Sequence, residues 1–169
     1  VKKVDNKSFI FLMIGRVMRD KGVLEYIKAS KLLLCKYDNI KIWLLGDCDS
    51  DSLSSISLAT VSRWQSSGII EYFGEVEDVR DYISQSDVVV LPSYREGMPR
   101  VLLEASAMER PIIGSDVPGC RHIVKDESNG YLCNAKDHIN LFKKMEKMIL
   151  LTSKEREEMG KKGRLEVEN

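Results

Sequence analysis

The sequence lacks any run of roughly 18 apolar residues, so no segment is expected to cross a membrane as a helix. It has no surplus of either charge. Its 26 lysines and arginines face 26 aspartates and glutamates, whereas a dedicated nucleic-acid-binding module carries a strong basic excess. No nucleic-acid partner is expected, although the balance leaves room for a local cationic site. The start, VKKVDNKSF, is charged and has no apolar stretch ahead of a small-residue cleavage site, so no signal peptide is expected. Two histidines, His122 and His138, are too few for a histidine metal centre. None of Cys35, Cys48, Cys120 and Cys133 falls in a C-x-x-C spacing, which argues against a zinc ribbon or a redox dithiol. Four reduced thiols in a cytoplasmic protein are the expectation.

What remains is 169 residues, 43% of them apolar, enough for one domain with a real core. The chain begins on valine and stops on the charged segment RLEVEN, the look of a piece of something longer. Asp47, Asp49 and Asp51 alternate in GDCDSDSL, but Ser52 and Leu58 stand where a calcium loop needs Gly and Glu. A D-x-D pair against a nucleotide diphosphate is a three-residue signal in a serine-rich loop, and no metal is assigned.

Short apolar runs alternate with helical patterns. Strands are expected at FIFLMI (Phe9 to Ile14), IKIWLL (Ile40 to Leu45), IIEYF (Ile69 to Phe73), DVVVL (Asp87 to Leu91), PIIGS and GYLC. Between them, Val23, Tyr26, Ile27, Leu33 and Leu34 mark a first helix with Asp20 as its cap. A weaker helix runs over Ser54 to Gln65, and another carries Val79, Tyr82 and Ile83. Pro99 suits the first turn of a helix reaching Met108. A short helix is read at HIVK and a long one from Asp137. The charged end, SKEREEMGKKGRLEVEN, reads as a helix with little apolar surface to hold it. This alternation specifies an α/β fold, an open, doubly wound parallel sheet of Rossmann-like type, occupying residues 1–169 as a single domain.

Ligands of such sheets bind beyond the carboxyl ends of the strands. There the sequence offers GRVMRDKG, GDCDS, GEVED and PSYREGMP. Gly15 lets backbone approach a ligand, while Arg16 and Lys21 suit phosphate oxygens. In REGMPRVLLE, Glu96 precedes a helix and Glu104 follows one turn into it, spaced Glu-x₇-Glu. The N-terminus of that helix offers N–H donors from Met98, Arg100 and Val101 to a diphosphate. A carboxylate accepts from both hydroxyls of a vicinal diol, so two of them around such a terminus read as a sugar-nucleotide site. An equally good reading has Glu104 facing solvent and pairing with Arg100 at i,i−4.

The stretch PSYREGMPRVLLEASAMERPIIGSDVPGCRHIV resembles the nucleotide-sugar-binding region of the family 4 retaining glycosyltransferases. FLMIGRVMRDKG, NIKIWLLGD, FGEVEDVRDYISQSDVVVLPS and SNGYL extend the resemblance in the same order over nearly the whole chain. It implies the C-terminal, donor-binding half of a two-domain GT-B fold, with the acceptor domain absent. It also implies a glycosyltransferase that moves a sugar from a nucleoside diphosphate, UDP favoured, to an acceptor hydroxyl with retention. The acceptor would be a glycan or lipid-linked sugar in surface polysaccharide or glycolipid synthesis. By resemblance, Arg16 and Lys21 hold the diphosphate, Glu96 orients the sugar and Glu104 holds the ribose. The Gly97 to Val101 backbone lies near sugar and phosphates, and the turn Phe73-Gly74-Glu75 lies near the base. No cofactor is implied. A cytoplasmic location, with peripheral contact of the full-length protein at the inner face of a membrane, follows in the same way. His122 replaces the glutamate usual after PGCR, and no role is assigned to it. A non-catalytic nucleotide-binding module and half of a nucleotide-sugar epimerase are the alternatives; a receiver domain fails because Gly15-Arg16 stands where it needs an acidic pair.

Overall fold

The computed structural model describes residues 2–3, 8–48 and 51–168. Its centre is a six-stranded parallel sheet built from β2 (Phe9–Ile14), β4 (Ile40–Leu45), β5 (Glu71–Tyr72), β6 (Val88–Leu91), β7 (Ile112–Ser115) and β8 (Gly130–Cys133). The spatial order is β5-β4-β2-β6-β7-β8. A two-residue parallel pair, β1 (Lys2–Lys3) with β3 (Tyr37–Asp38), is a feature too short for periodicity to reveal.

Strands buried on both faces explain why the sequence runs were continuous rather than alternating. Phe11, Met13, Leu44 and Val90 feed one core, together with Tyr26 and Leu33 of α1 (Val23–Lys36), Val61 of α2 (Leu58–Ser66), and Leu141 and Met145 of α6 (His138–Leu150). Leu12, Leu45, Val89 and Leu91 feed the other. There they meet Ile83 of α3 (Arg80–Gln85), Leu102 and Ala105 of α4 (Arg100–Ala107), and Cys120 and Ile123 of α5 (Pro118–Ile123). The chain moves outward through β4 and β5, returns across β2, and moves the other way through β6, β7 and β8. The reversal lies between β2 and β6, where a doubly wound sheet opens a crevice at its carboxyl edge.

Several boundaries differ from expectation, each for a local reason. Asp20 does not cap α1; it lies in a 3₁₀ turn, Arg19–Lys21, and its carboxylate accepts from Ser54 Oγ at 2.9 Å. The residue before α1 is Gly22, in the left-handed region at φ 77°. The weak helix starts later, because Ser57 caps it by accepting from Thr60 N–H at 3.2 Å. The strand read as Ile69 to Phe73 pairs only over two residues. Pro99 sits before α4 rather than in its first turn, with ψ 101° and its carbonyl accepting from Leu102 N–H at 3.1 Å. The helix read at HIVK instead begins at Pro118, as its first residue, and ends at Ile123. The charged terminal segment is α7 (Ser153–Glu168), and it is held down, against α4 and α5. Its contact is made by two glycines and one apolar side chain rather than an apolar stripe: Met159, Gly160 and Gly163 are its buried positions.

Candidate functional site

Three glycines set the loops at the carboxyl edge against one another. A Cβ on Gly22 would lie 2.0 Å from the Pro92 carbonyl oxygen, so the loop after β2 touches the end of β6 backbone to backbone. A Cβ on Gly46, at φ 140°, would lie 1.8 Å from the Gly15 carbonyl oxygen. A Cβ on Gly119 would lie 2.3 Å from the carbonyl oxygen of Glu96 and 2.4 Å from that of Gly97. The Pro-Gly-Cys turn that opens α5 is thus the floor under the Glu96–Gly97 loop. Tyr94 adds a brace: its N–H donates to the Asp20 carbonyl at 2.8 Å and its hydroxyl to Glu25 Oε1 at 2.7 Å. Partial burial, then the Glu25 carboxylate, push the Tyr94 hydroxyl up to about 12. Under the loop, burial and then the charge of Glu96 push the Cys120 thiol up to about 12.

These contacts shape a cleft of about 590 Å³ lined by Ile14, Gly15, Arg16, Lys21, Leu91, Glu96, Met98, Pro99, Arg100, Val101 and Glu104. It lies at the ends of β2 and β6, on the reversal of strand order. Arg16 is exposed, with its fork of donors unshielded from an anion. The α4 N-terminus faces the same cleft through Arg100 and Val101, whose N–H groups are the first of the helix. Lys21 Nζ donates to Glu96 Oε1 at 2.7 Å, in a half-buried ion pair. Glu104 stands 3.8 Å from Arg100, a distance that makes an ion pair but not a hydrogen bond. Glu104 therefore pairs with Arg100 while it lines the cleft.

A smaller hollow of about 180 Å³ shares the wall formed by Ile14, Gly15 and Arg16, and continues to Asp47, Glu75 and Val79. Glu75 thus borders the site at one remove. Its neighbours in the sequence do other things. Phe73 packs edge-on to Trp43 and Tyr82, with centroids 5.3 and 5.0 Å away, and the Gly74 carbonyl accepts from Gly46 N–H at 2.7 Å. Gly97 lines neither hollow and gives its carbonyl face to Gly119. His122 is exposed. Asp47 lines the smaller hollow and Asp51 is exposed, while Asp49 lies outside the described residues. Among the described residues no group of three or more His, Cys, Asp or Glu is arranged to hold a metal. Gly22, Gly46, Gly119 and Tyr94 are the contributors that motif reading passed over. The PGC triplet was a usable signal for Gly119, since a proline that opens a helix followed by glycine marks close backbone approach.

The model of the family described as glycosyl transferases group 1 matches residues 1–166. The capsular polysaccharide biosynthesis glycosyltransferase CapM of Staphylococcus aureus is 30% identical over 167 residues, 99% of this chain and 43% of that protein. An Escherichia coli relative is named UDP-Gal:alpha-D-GlcNAc-diphosphoundecaprenol alpha-1,3-galactosyltransferase. It is 29% identical over 133 residues, 77% of this chain and 34% of its own. Among solved structures, the C-terminal domain of the group 1 glycosyl transferase LpcC from Francisella tularensis superposes with a TM-score of 0.83 at 24% identity, covering 96% of this chain and 85% of that one. The chain spans less than half the length of the curated relatives it matches.

Proposed function

We propose that this chain, which belongs to the glycosyl transferases group 1 family, is the donor-binding domain of a retaining, family 4 glycosyltransferase. Its ligand is a nucleoside diphosphate sugar, with UDP as the favoured carrier, and its acceptor is a glycan or lipid-linked sugar held by a separate N-terminal domain. The observation that carries this reading is the convergence of Arg16, Lys21, the α4 N-terminus and two carboxylates on one cleft at the strand reversal. Cations and helix N–H groups answer the negative charge that develops on a departing diphosphate. Carboxylates answer hydroxyls: Glu104 those of the ribose, Glu96 those of the sugar. Without the acceptor domain the chain binds donor and transfers little or nothing. The relatives' names support surface polysaccharide or lipid-linked oligosaccharide synthesis as the setting, which puts the full-length enzyme in the cytoplasm, at the inner face of a membrane.

Calorimetry with UDP, GDP and ADP tests the reading. UDP binds, and Arg16→Ala weakens it about tenfold, the loss of roughly one charge-assisted hydrogen bond. Unchanged affinity in the variant removes Arg16 from the diphosphate site, and no heat with any of the three nucleotides removes the donor site itself.

A further inference from the structure

The zero net charge hides an uneven distribution. Helices α1, α2 and α6 form the layer on one side of the sheet. They carry seven lysines and arginines against two glutamates, Glu25 and Glu146. Neither glutamate is available to offset the layer from outside. Glu25 accepts from the Tyr94 hydroxyl, and Glu146 from the Tyr37 hydroxyl and Lys36. Lys144 and Lys147 lean to the edge of the layer, toward Asp126 and Glu127.

Lys28, Lys31 and Lys143 are different: all three are exposed and none has an ion-pair partner among the described residues. On α1, Lys28, Lys31 and Leu32 share one stripe; on α6, Ile139, Lys143 and Leu150 share another. The two helices pack side by side, so the stripes form one outward face. Three aliphatic side chains stand open on it, Leu32 at 38%, Ile139 at 44% and Leu150 at 62% exposure.

We propose that the outer face of the α1–α6 pair docks on an anionic lipid bilayer. The composition favours a bilayer over a nucleic acid. The unpaired cations are lysines interleaved with aliphatic residues, with no arginine fork on either helix and no exposed aromatic ring for a base to stack on. Lysine stems lie along apolar surface while their ammonium groups reach lipid phosphates, and leucine and isoleucine enter the boundary of the acyl region. The face is a flank of the sheet, whereas the cleft is at the carboxyl edge, so docking leaves the cleft mouth open beside the membrane. The inference gives the reading above a location and rests on it only for the relevance of that location; the charge pattern stands alone.

The test is co-sedimentation of the chain with phosphatidylcholine vesicles, with and without phosphatidylglycerol, at low and high salt, alongside calorimetry with UDP. Binding is expected only with phosphatidylglycerol and is lost at high salt. Each lysine is worth roughly fivefold near such a surface, so the Lys28→Gln/Lys31→Gln/Lys143→Gln variant loses about a hundredfold in partition while keeping its UDP affinity. Leu150→Ser gives a smaller loss. If the chain fails to sediment with anionic vesicles, if the triple variant sediments as well as the parent, or if the chain is retained on single-stranded DNA but not on vesicles, the docking surface is overturned. None of those results touches the donor site, and absent UDP heat with intact vesicle binding overturns the donor site alone.

Discussion

The Lys21–Glu96 pair joins the cation proposed for phosphate to the carboxylate proposed for sugar, 2.7 Å apart. With side chains 25% and 12% exposed, it is screened less than a surface ion pair, and separating it has a real cost. For UDP, which lacks the transferred sugar, Glu96 is therefore a competitor for Lys21 rather than a partner. The two obvious substitutions should then act in opposite directions. Lys21→Ala lowers UDP affinity about tenfold, while Glu96→Gln, which keeps the shape and removes the charge, leaves it equal or tightens it by a few-fold. Calorimetry on both variants decides the matter: if Glu96→Gln weakens UDP as much as Lys21→Ala does, the carboxylate belongs to the nucleotide cradle itself. Glu104 is free of that competition, since its contact with Arg100 is long and exposed, and Glu104→Gln should weaken UDP modestly through the ribose.

Elements meet here through glycines, and two neighbours on α7 make opposite predictions. A Cβ on Gly160 would lie 2.0 Å from the carbonyl oxygen of Glu109, just after α4, whereas one on Gly163 would meet nothing nearer than 3.6 Å. Gly160→Ala must push α7 off α4 and should cost about 1–3 kcal/mol, as overpacking does. Gly163→Ala replaces a helix-interior glycine where the new methyl makes only ordinary van der Waals contact with Asn129 and Ser106, and should gain about 0.5–1 kcal/mol. Urea melts of both variants check the signs; a stabilising Gly160→Ala would mean α7 is not seated on α4. Gly119→Ala belongs with the first kind, but its clash is with the Glu96–Gly97 backbone, so it should weaken UDP beyond what its loss of stability explains. The same contacts show where the sequence was readable. Strands β2 and β4 were legible to the residue, because a buried strand is a continuous apolar run bounded by glycine. Arg16, Lys21 and Glu96 were legible as loop residues at carboxyl ends and Glu104 as a residue of the helix that follows, and the cleft does gather them. The docking of α7 was not, since a helix that packs through two glycines leaves no hydrophobic stripe to read. The start of α5 was missed because its first residues, Pro118 and Gly119, look like a turn until the backbone they abut is known.

At the scale of the molecule, the buried thiols and phenols with displaced titrations all point one way. Burial pushes the thiols of Cys120 and Cys133 up to about 12, and Tyr37 and Tyr94 rise to about 12 through burial and then their glutamate partners. Each is held neutral by the fold, so its contribution is fully present below its ordinary value, near 9 for the thiols and 10 for the phenols. That contribution drains away as pH rises through the folded values. Stability should be flat across neutral pH and fall above about pH 9, with the two thiols leading because they are fully buried and unscreened. The same burial separates the cysteines kinetically. Cys35 is exposed and Cys48 half-buried beside Tyr72, whereas Cys120 and Cys133 lie in different core clusters, on opposite faces of the sheet. In a thiol-reagent assay at mildly alkaline pH, Cys35 should react at once and Cys48 more slowly. Cys120 and Cys133 should react only at the rate of opening, with a urea dependence matching that of global unfolding. Early reaction of Cys120 with Cys133 still protected would mean that the α5 floor of the cleft opens by itself. The Glu96 loop would then be carried on a mobile support rather than on the rigid core.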